Sequence, residues 1–250
     1  MLKVILSGCC GKMGRVINSI IEEDETLGIV AGVDPYGEKY ADFPVFPDFN
    51  DLPEGDVIID FSHPSALDGL LTFALKTKTP VVIATTGYNE AETEKIRAAA
   101  GIIPVFFTFN LSLGVNLMVS LAKKATAFLG DSFNIEIIEK HHSLKVDAPS
   151  GTAIMLANAI NETLDNKMIY EYDRHSKRQK RNKNEIGIHS VRGGTIVGEH
   201  EVIFAGNNEI ISIKHEAFSK TVFANGSVTA AKFIAGKAAG LYNMNNVLDF

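Results

Sequence analysis

The chain has 250 residues, 46% of them hydrophobic and 22% charged, with 24 Lys and Arg against 30 Asp and Glu for a net charge of -6. This composition suits a water-soluble globular protein of one large or two modest domains, and the acidic balance argues against a nucleic-acid binder. No apolar run reaches the roughly 18 to 20 residues that cross a bilayer, and the start of the chain lacks a basic region leading into an apolar core, so a cytoplasmic protein without a membrane partner is expected.

Residues 3–7 are a short apolar run that predicts a strand, and Gly8-Cys9-Cys10-Gly11-Lys12-Met13-Gly14 follows at once. Met13, Val16, Ile17, Ile20 and Ile21 then recur at helical spacing. Strand, glycine turn and helix in this order form a site where backbone approaches a pyrophosphate at a helix N-terminus, although the spacing is G-x-x-G-x-x-G and not the commoner G-x-G-x-x-G. Gly8, Gly11, Lys12, Met13 and Gly14 are the candidate contacts. Cys9 and Cys10 are the only cysteines. As neighbours they cannot close a long loop, and two thiols alone do not complete a zinc site, so they read as reduced residues of the turn. No cysteine remains later in the chain to act as a thiol nucleophile.

A second apolar run, residues 29–33, ends at Asp34, the distance at which an acidic residue meets the adenosine ribose. A carboxylate there accepts hydrogen bonds from the ribose hydroxyls and repels a 2′-phosphate, which favours NADH. Lys12 and Arg15 offset part of that repulsion, so NADPH stays acceptable. The plain alternative is that Asp34 merely ends a strand. Further apolar runs at 57–61, 81–84 and 105–107 alternate with helical patterns through Leu67, Leu70, Leu71, Ala74 and Leu75 and over residues 89–100. Such alternation implies a parallel sheet covered on both faces, with ligands beyond the carboxyl ends of its strands. Those ends are Asp60-Phe61-Ser62, Ala84-Thr85-Thr86-Gly87 and Thr108-Phe109-Asn110-Leu111-Ser112.

From about Ser112 the pattern changes. A helix through Leu117, Leu121 and Ala125 leads to a strand at 133–139, which delivers Glu139-Lys140-His141-His142-Ser143-Leu144-Lys145-Val146-Asp147-Ala148-Pro149-Ser150-Gly151-Thr152-Ala153. Ser150 or Thr152 can cap a helix over 153–164, whose first-turn N–H groups attract an anion. Cations beside anion-binding amides suit a carboxylate substrate, with His141 or Lys145 placed to donate a proton. Residues 174–183 are strongly basic but short and without interleaved aromatics, which favours a solvated connection over a nucleic-acid patch. Strand-like runs at 186–194, 201–205 and 209–215 predict a mixed, open sheet whose edges suit subunit association, and residues 226–242 read as a final helix.

The run Glu139-x-His141-His142-x-x-Lys145-x-Asp147-Ala148-Pro149-Ser150-Gly151-Thr152-Ala153 resembles the signature of the dihydrodipicolinate (4-hydroxy-tetrahydrodipicolinate) reductases of the diaminopimelate route to lysine, and the similarity extends from Lys3 to the last helix. The resemblance implies an α/β protein with a Rossmann-like dinucleotide-binding domain over 1–111 and 220–250, made discontinuous by the returning last helix. It also implies an α+β substrate and tetramerisation domain over 112–219 with an open mixed sheet, and a homotetramer. NADH or NADPH would bind with the nicotinamide near Phe61, Ala84, Thr85, Thr86, Thr108, Phe109, Asn110 and Leu111, where the family more often has Phe at 111 and Ala-Pro at 108–109. His141 and Lys145 become the proton donors to a cyclic dicarboxylate, and His142, Ser150, Gly151 and Thr152 hold its carboxylates, while Asp147 orients the turn. Two rival readings are a metal-dependent hydrolase using His141, His142 and Asp147, although adjacent histidines point apart on a strand, and a nucleotide-sensing module without turnover, which gives the His-His-x-x-Lys cluster no use.

Overall fold

β1 (Leu2–Ser7) is apolar through its centre because it is buried on both sides, as in a sheet with helices on each face. This computed structural model describes residues 1–248. After β1 come α1 (Lys12–Glu22), β2 (Leu27–Val33), β3 (Val45–Phe46), β4 (Val57–Asp60), α2 (Leu67–Thr77), β5 (Val81–Ile83), α3 (Glu90–Ala100) and β6 (Pro104–Phe107). Asn89 opens α3 with a full capping box: its side chain accepts from the Glu92 N–H while the Glu92 carboxylate accepts from the Asn89 N–H.

The second part begins with α4 (Leu113–Leu129) and β7 (Asn134–His141), followed by α5 (Gly151–Thr163), β8 (Ile169–Glu171), β9 (Glu185–Arg192), β10 (Gly198–Ala205) and β11 (Ile210–Ala217). α6 (Thr221–Ile234), β12 (Gly240–Tyr242) and the short α7 (Met244–Leu248) complete the described chain. Two compact units result, Met1–Ser112 together with the chain from Thr221 onward, and Leu113–Lys220.

The first unit holds a seven-stranded parallel sheet in the order β12-β6-β5-β4-β1-β2-β3. Chain order reverses at β1, which lies between β2 and β4, so a crevice opens beyond its carboxyl end, where the glycine turn follows. Leu67, Leu70 and Leu71 of α2 and Ile96 and Ala99 of α3 pack on Ile5, Ile58 and Ile83. α1 and α6 pack together on the other side of the sheet. The predicted final helix needs correction here: it starts earlier, at Thr221, and stops at Ile234, and Gly240–Tyr242 forms edge strand β12 beside β6. Gly236, with a positive φ of 78°, ends the helical run soon after Ile234, a break that an alanine-rich pattern does not reveal.

The second unit holds a mixed sheet in the order β11-β10-β7-β9-β8, with β10 antiparallel to β7 and β11, and β9 parallel to β7 and β8. α4 and α5 cover one face, packing Met118, Ala122, Leu156 and Ile160 on Ile135, Ile137, Val202 and Phe204. Helical spacing through Leu117, Leu121 and Ala125 predicts α4; Ala125 packs on the core, whereas Leu117 and Leu121 are exposed and the neighbouring stripe of Met118 and Ala122 is the buried one. The opposite face of β7 and β10 carries half-buried Ile138 and Ile203 among Glu136, Lys140, Glu199 and Glu201. The basic stretch 174–183 turns back on its own unit, where Arg174 pairs with Glu185, Lys177 with Glu171 and Arg181 with Glu136. Among the described residues, no helix is long and apolar enough to cross a membrane.

Candidate active site

In the first unit the chain leaves β1 through Gly8, whose φ of 73° is one that L side chains rarely adopt, and whose N–H donates to the Val33 carbonyl at 2.8 Å. A Cβ on Gly14 would overlap the Gly8 carbonyl oxygen and stand 2.6 Å from the Cys9 Cα, so the turn closes on the helix only with glycine there. No side chain caps α1 and no acidic residue lies in its first turn, which leaves the N–H groups of that turn to an anion. Asp34, just past β2, accepts hydrogen bonds from the Cys10 N–H and the Tyr36 N–H, both at 3.1 Å, so its carboxylate is fixed beside the glycine turn. A cavity of about 880 Å³ continues from there, lined by Ser7, Val33, Pro35, Tyr36, Ser62 and Ser65 among others. This cradle fits a dinucleotide: backbone for the phosphates, a carboxylate for a ribose and an open cleft for a base. Cys9 is buried, and burial together with the adjacent Cys10 pushes its thiol up to about 12, which makes it a poor nucleophile.

The other predicted strand ends meet around Asp60, which is wholly buried. Ser62 Oγ donates to Asp60 Oδ1 at 2.6 Å and Thr85 Oγ1 donates to Asp60 Oδ2 at 2.7 Å, while Thr85 Oγ1 accepts from the Ser62 N–H at 2.9 Å. Burial raises the Asp60 carboxyl, and these hydrogen bonds oppose that shift. The tails of β4 and β5, with Phe61, Ala84 and Thr86, are therefore tied to one group. Beyond β6, Thr108 Oγ1 donates to the Asn110 carbonyl and Asn110 Oδ1 accepts from the Ser112 N–H at 2.8 Å. The Phe109 ring is 90% exposed, whereas the Leu111 side chain is buried, with Gly226 of α6 packed so closely on its carbonyl that a Cβ there would overlap it. Leu111 is thus packed against α6 through its carbonyl, with little of the residue left exposed.

In the second unit, alternation along β7 turns Glu139 and His141 to the buried side together. His141 Nδ1 lies 2.6 Å from Glu139 Oε2. Arg192 grips the same carboxylate with two prongs, Nη1 to Oε2 at 2.8 Å and Nη2 to Oε1 at 2.7 Å, and Nη2 also donates to the Asp147 carbonyl at 2.6 Å. The Ser150 N–H adds a bond to Glu139 Oε1 at 3.1 Å. Burial alone would raise the Glu139 carboxyl, but bonds from Arg192, Ser190, His141 and Ser150 outweigh it and hold the group down to about 2. His141 is lowered, chiefly by burial, with Glu139 pulling the other way.

Ser150 is the N-cap of α5, its hydroxyl accepting from the Ala153 N–H at 3.2 Å, and the same oxygen lies 3.0 Å from Nε2 of buried His200. The His200 ring stands edge-on to His141 at 5.2 Å between centroids. Burial, then the His141 charge, lowers His200 to about 4. Gly151 and Thr152 begin α5, Lys145 pairs with Asp147 at 2.8 Å, and half-buried His142 accepts from the Lys145 N–H at 3.1 Å through its carbonyl. The structure thus gathers His141, Ser150, Gly151 and Thr152 around the start of α5, with His142 and Lys145 on the loop leading to it.

Local sequence spacing does not single out Arg192 or His200, and it presents Glu139 only as part of a motif. The pairing register supplies what local spacing lacks: Arg192 is the partner of His141 across β7 and β9, and His200 the partner of Glu139 across β7 and β10. Among the described residues, the side chains that converge with metal-ligand spacing are Cys9, Cys10 and Asp34, not His141, His142 and Asp147, which removes the geometric basis of the hydrolase reading.

The model of the dihydrodipicolinate reductase N-terminus matches residues 2–111, and that of the dihydrodipicolinate reductase C-terminus matches residues 114–248. The 4-hydroxy-tetrahydrodipicolinate reductase of Caldanaerobacter subterraneus subsp. tengcongensis is 50% identical over 249 residues, 99% of this chain and 98% of its own length. That of Clostridium novyi is 47% identical over the same shares. The solved structure of a dipicolinate-bound dihydrodipicolinate reductase from Paenisporosarcina sp. TG-14 superposes with a TM-score of 0.82 at 25% identity, covering 97% of each chain. With both halves matched and near-complete coverage on both sides, the chain belongs to the dihydrodipicolinate reductase family.

Proposed function

We propose that this chain reduces 4-hydroxy-tetrahydrodipicolinate, with loss of water, to tetrahydrodipicolinate. The observation that carries the reading is the buried Glu139–His141 pair, clamped by Arg192 at the anion-attracting start of α5. When bound, the nicotinamide dinucleotide supplies the hydride. The chain provides the rest. The N–H groups of Gly151 and Thr152, the Ser150 turn and His142 hold the substrate carboxylates. Glu139 engages Nδ1 of His141 and leaves Nε2 to face the ligand, and the negative charge of a dicarboxylate favours the imidazolium that burial otherwise disfavours. Addition of hydride to a carbon conjugated with an imine pushes an electron pair into the ring, and His141 or the Lys145 ammonium quenches it with a proton. Asp147, paired with Lys145, keeps that ammonium on the loop.

Asp34 makes NADH the preferred cofactor, with NADPH accepted. Arg15 supports this order, because its Nε donates to the Cys10 carbonyl at 3.1 Å and its guanidinium lies 4.3 Å over the Tyr40 ring, both of which compete with a 2′-phosphate. The half-buried face of β7 and β10 and the exposed Ile210 and Ile211 on edge strand β11 support association into a homotetramer. Light scattering should then give about four times the 27.1 kDa chain mass.

The deciding experiment follows nicotinamide absorbance with freshly generated substrate. Wild type should oxidise NADH, and His141→Gln and Lys145→Ala should bind it normally but lose roughly a hundred- to ten-thousand-fold in turnover. Near wild-type turnover in both variants would remove the assignment of the proton donors, and cofactor binding without any turnover in wild type would leave the sensor reading.

A further inference from the structure

We propose that Cys9, Cys10 and Asp34 form a binding site for a soft divalent cation such as Zn²⁺ or Cd²⁺, and that this cation and the dinucleotide exclude each other. The two Sγ atoms stand 3.7 Å apart. A tetrahedral ion with metal–sulfur bonds of about 2.3 Å places two of its sulfurs about 3.8 Å apart, so the pair already has the edge length of such a site. An oxygen of Asp34 lies within 4.8 Å of both sulfurs, supplying the third donor that the two thiols lack. Two sulfurs with one carboxylate match a soft or borderline ion and not Mg²⁺ or Ca²⁺, which want oxygen.

The surroundings hold these donors in place. The Cys10 and Tyr36 N–H groups fix the Asp34 carboxylate, and the Cys9 carbonyl accepts from Tyr40 Oη at 2.8 Å. Both sulfurs sit against glycine. A Cβ on Gly32 would stand 2.6 Å from Cys9 Sγ, and one on Gly37 would overlap Cys10 Sγ. The Glu38 carbonyl oxygen, 3.5 Å from Cys10 Sγ, offers a fourth donor. Binding forms two metal–sulfur bonds, releases two thiol protons to solvent and involves no change of oxidation state.

The cation site stands on geometry alone, whereas the exclusion rests on the assignment of Asp34 to the adenosine ribose, since one carboxylate cannot serve both. The test titrates the reduced full-length protein with Cd²⁺ and reads the ultraviolet thiolate-to-cadmium band, which histidine sites do not produce. NADH affinity is measured separately, by fluorescence, with and without Cd²⁺. One Cd²⁺ per chain should give the band, Cys10→Ser and Cys9→Ser/Cys10→Ser should lose it, and saturating Cd²⁺ should weaken NADH binding about tenfold or more, the scale of lost bonds to a charged acceptor. Absence of the band, or its survival in the folded Cys10→Ser protein and the double variant, overturns the site. A band with unchanged NADH affinity overturns the exclusion and, with it, the ribose role of Asp34, while leaving the reductase assignment untouched.

Discussion

Glu139 and His141, two residues apart on one face of β7, meet at 2.6 Å inside the second unit, and the carboxylate of the pair is neutralised by both prongs of Arg192. The carboxylate therefore has two tasks: it fixes which imidazole nitrogen faces outward, and it pairs with the partly exposed Arg192 charge.

Glu139→Gln tests both. An amide cannot accept two charged bonds as a carboxylate does, so the ring loses its fixed orientation and Arg192 its partner. Turnover should fall about a hundredfold or more while NADH affinity stays unchanged. Chemical denaturation should show a loss of roughly 2 to 4 kcal/mol, below the cost of stranding a fully buried charge because the Arg192 side chain keeps 19% exposure. Unchanged turnover would show that the tautomer does not depend on this contact.

Acid should destabilise the protein in two stages. His200 is neutral when folded down to about pH 4 and ordinary when unfolded, so above pH 6.5 both states are neutral and nothing is lost. As pH falls from 6.5 to about 4 the unfolded chain takes up the proton first, and stability drops by about 3 kcal/mol from this group. His141 and His215, both lowered by burial, act in the same direction; the Glu139 charge works against the shifts of His141 and His200, and that of Lys145 works with them. The second stage begins near pH 4.5, where unfolded Glu139 protonates while the folded group stays ionised down to about 2. Urea midpoints measured across this range should decline on the upper limb in wild type and less steeply in His200→Gln; equal slopes would remove His200 as the source.

Gly14→Ala should damage dinucleotide binding from a position that presents no functional group. The added carbon overlaps the Gly8 carbonyl and crowds Cys9, so the turn must open. NADH affinity should weaken more than about tenfold, with about 1 to 3 kcal/mol lost in thermal unfolding. Ordinary NADH affinity in this variant would mean that the phosphates do not rest on the turn.

Asp34→Ser should raise NADPH affinity relative to NADH, because it removes both the repulsion of a 2′-phosphate and a ribose acceptor. The two terms are of about a kcal/mol each at a partly exposed site, so the ratio of dissociation constants should move by roughly tenfold. A ratio that does not move would exclude Asp34 from the ribose.

The nucleotide half was legible because each signal is local. Residues 3–34 carry strand, turn, helix, strand and carboxylate in sequence, and the structure builds them in that order. The His-His-x-x-Lys run and the Ser150 cap are equally local. Arg192 and His200 lie 53 and 50 residues from the groups they bind, and no periodicity reports a distance of that kind. α4 shows a different limit: helical spacing identifies two apolar stripes, Leu117 with Leu121 and Met118 with Ala122, and only the packing of the sheet decides which is covered. β12 escaped because a three-residue edge strand after an alanine-rich helix has too few residues to show alternation.

The alignment of β9 and β10 against β7 has a consequence for how activity is acquired. Arg192 and His200 reach Glu139 and His141 only because three strands agree in register, and sliding either neighbour by one residue would swing its contributing side chain to the far side of the sheet. Backbone pairing thus sets the spacing of the proton-handling groups much as a ruled edge sets the teeth of a key. A chain that has gained its helices but not the final strand alignment carries every residue of the site and none of its chemistry, so turnover should return during refolding with the last ordering of this sheet and not before.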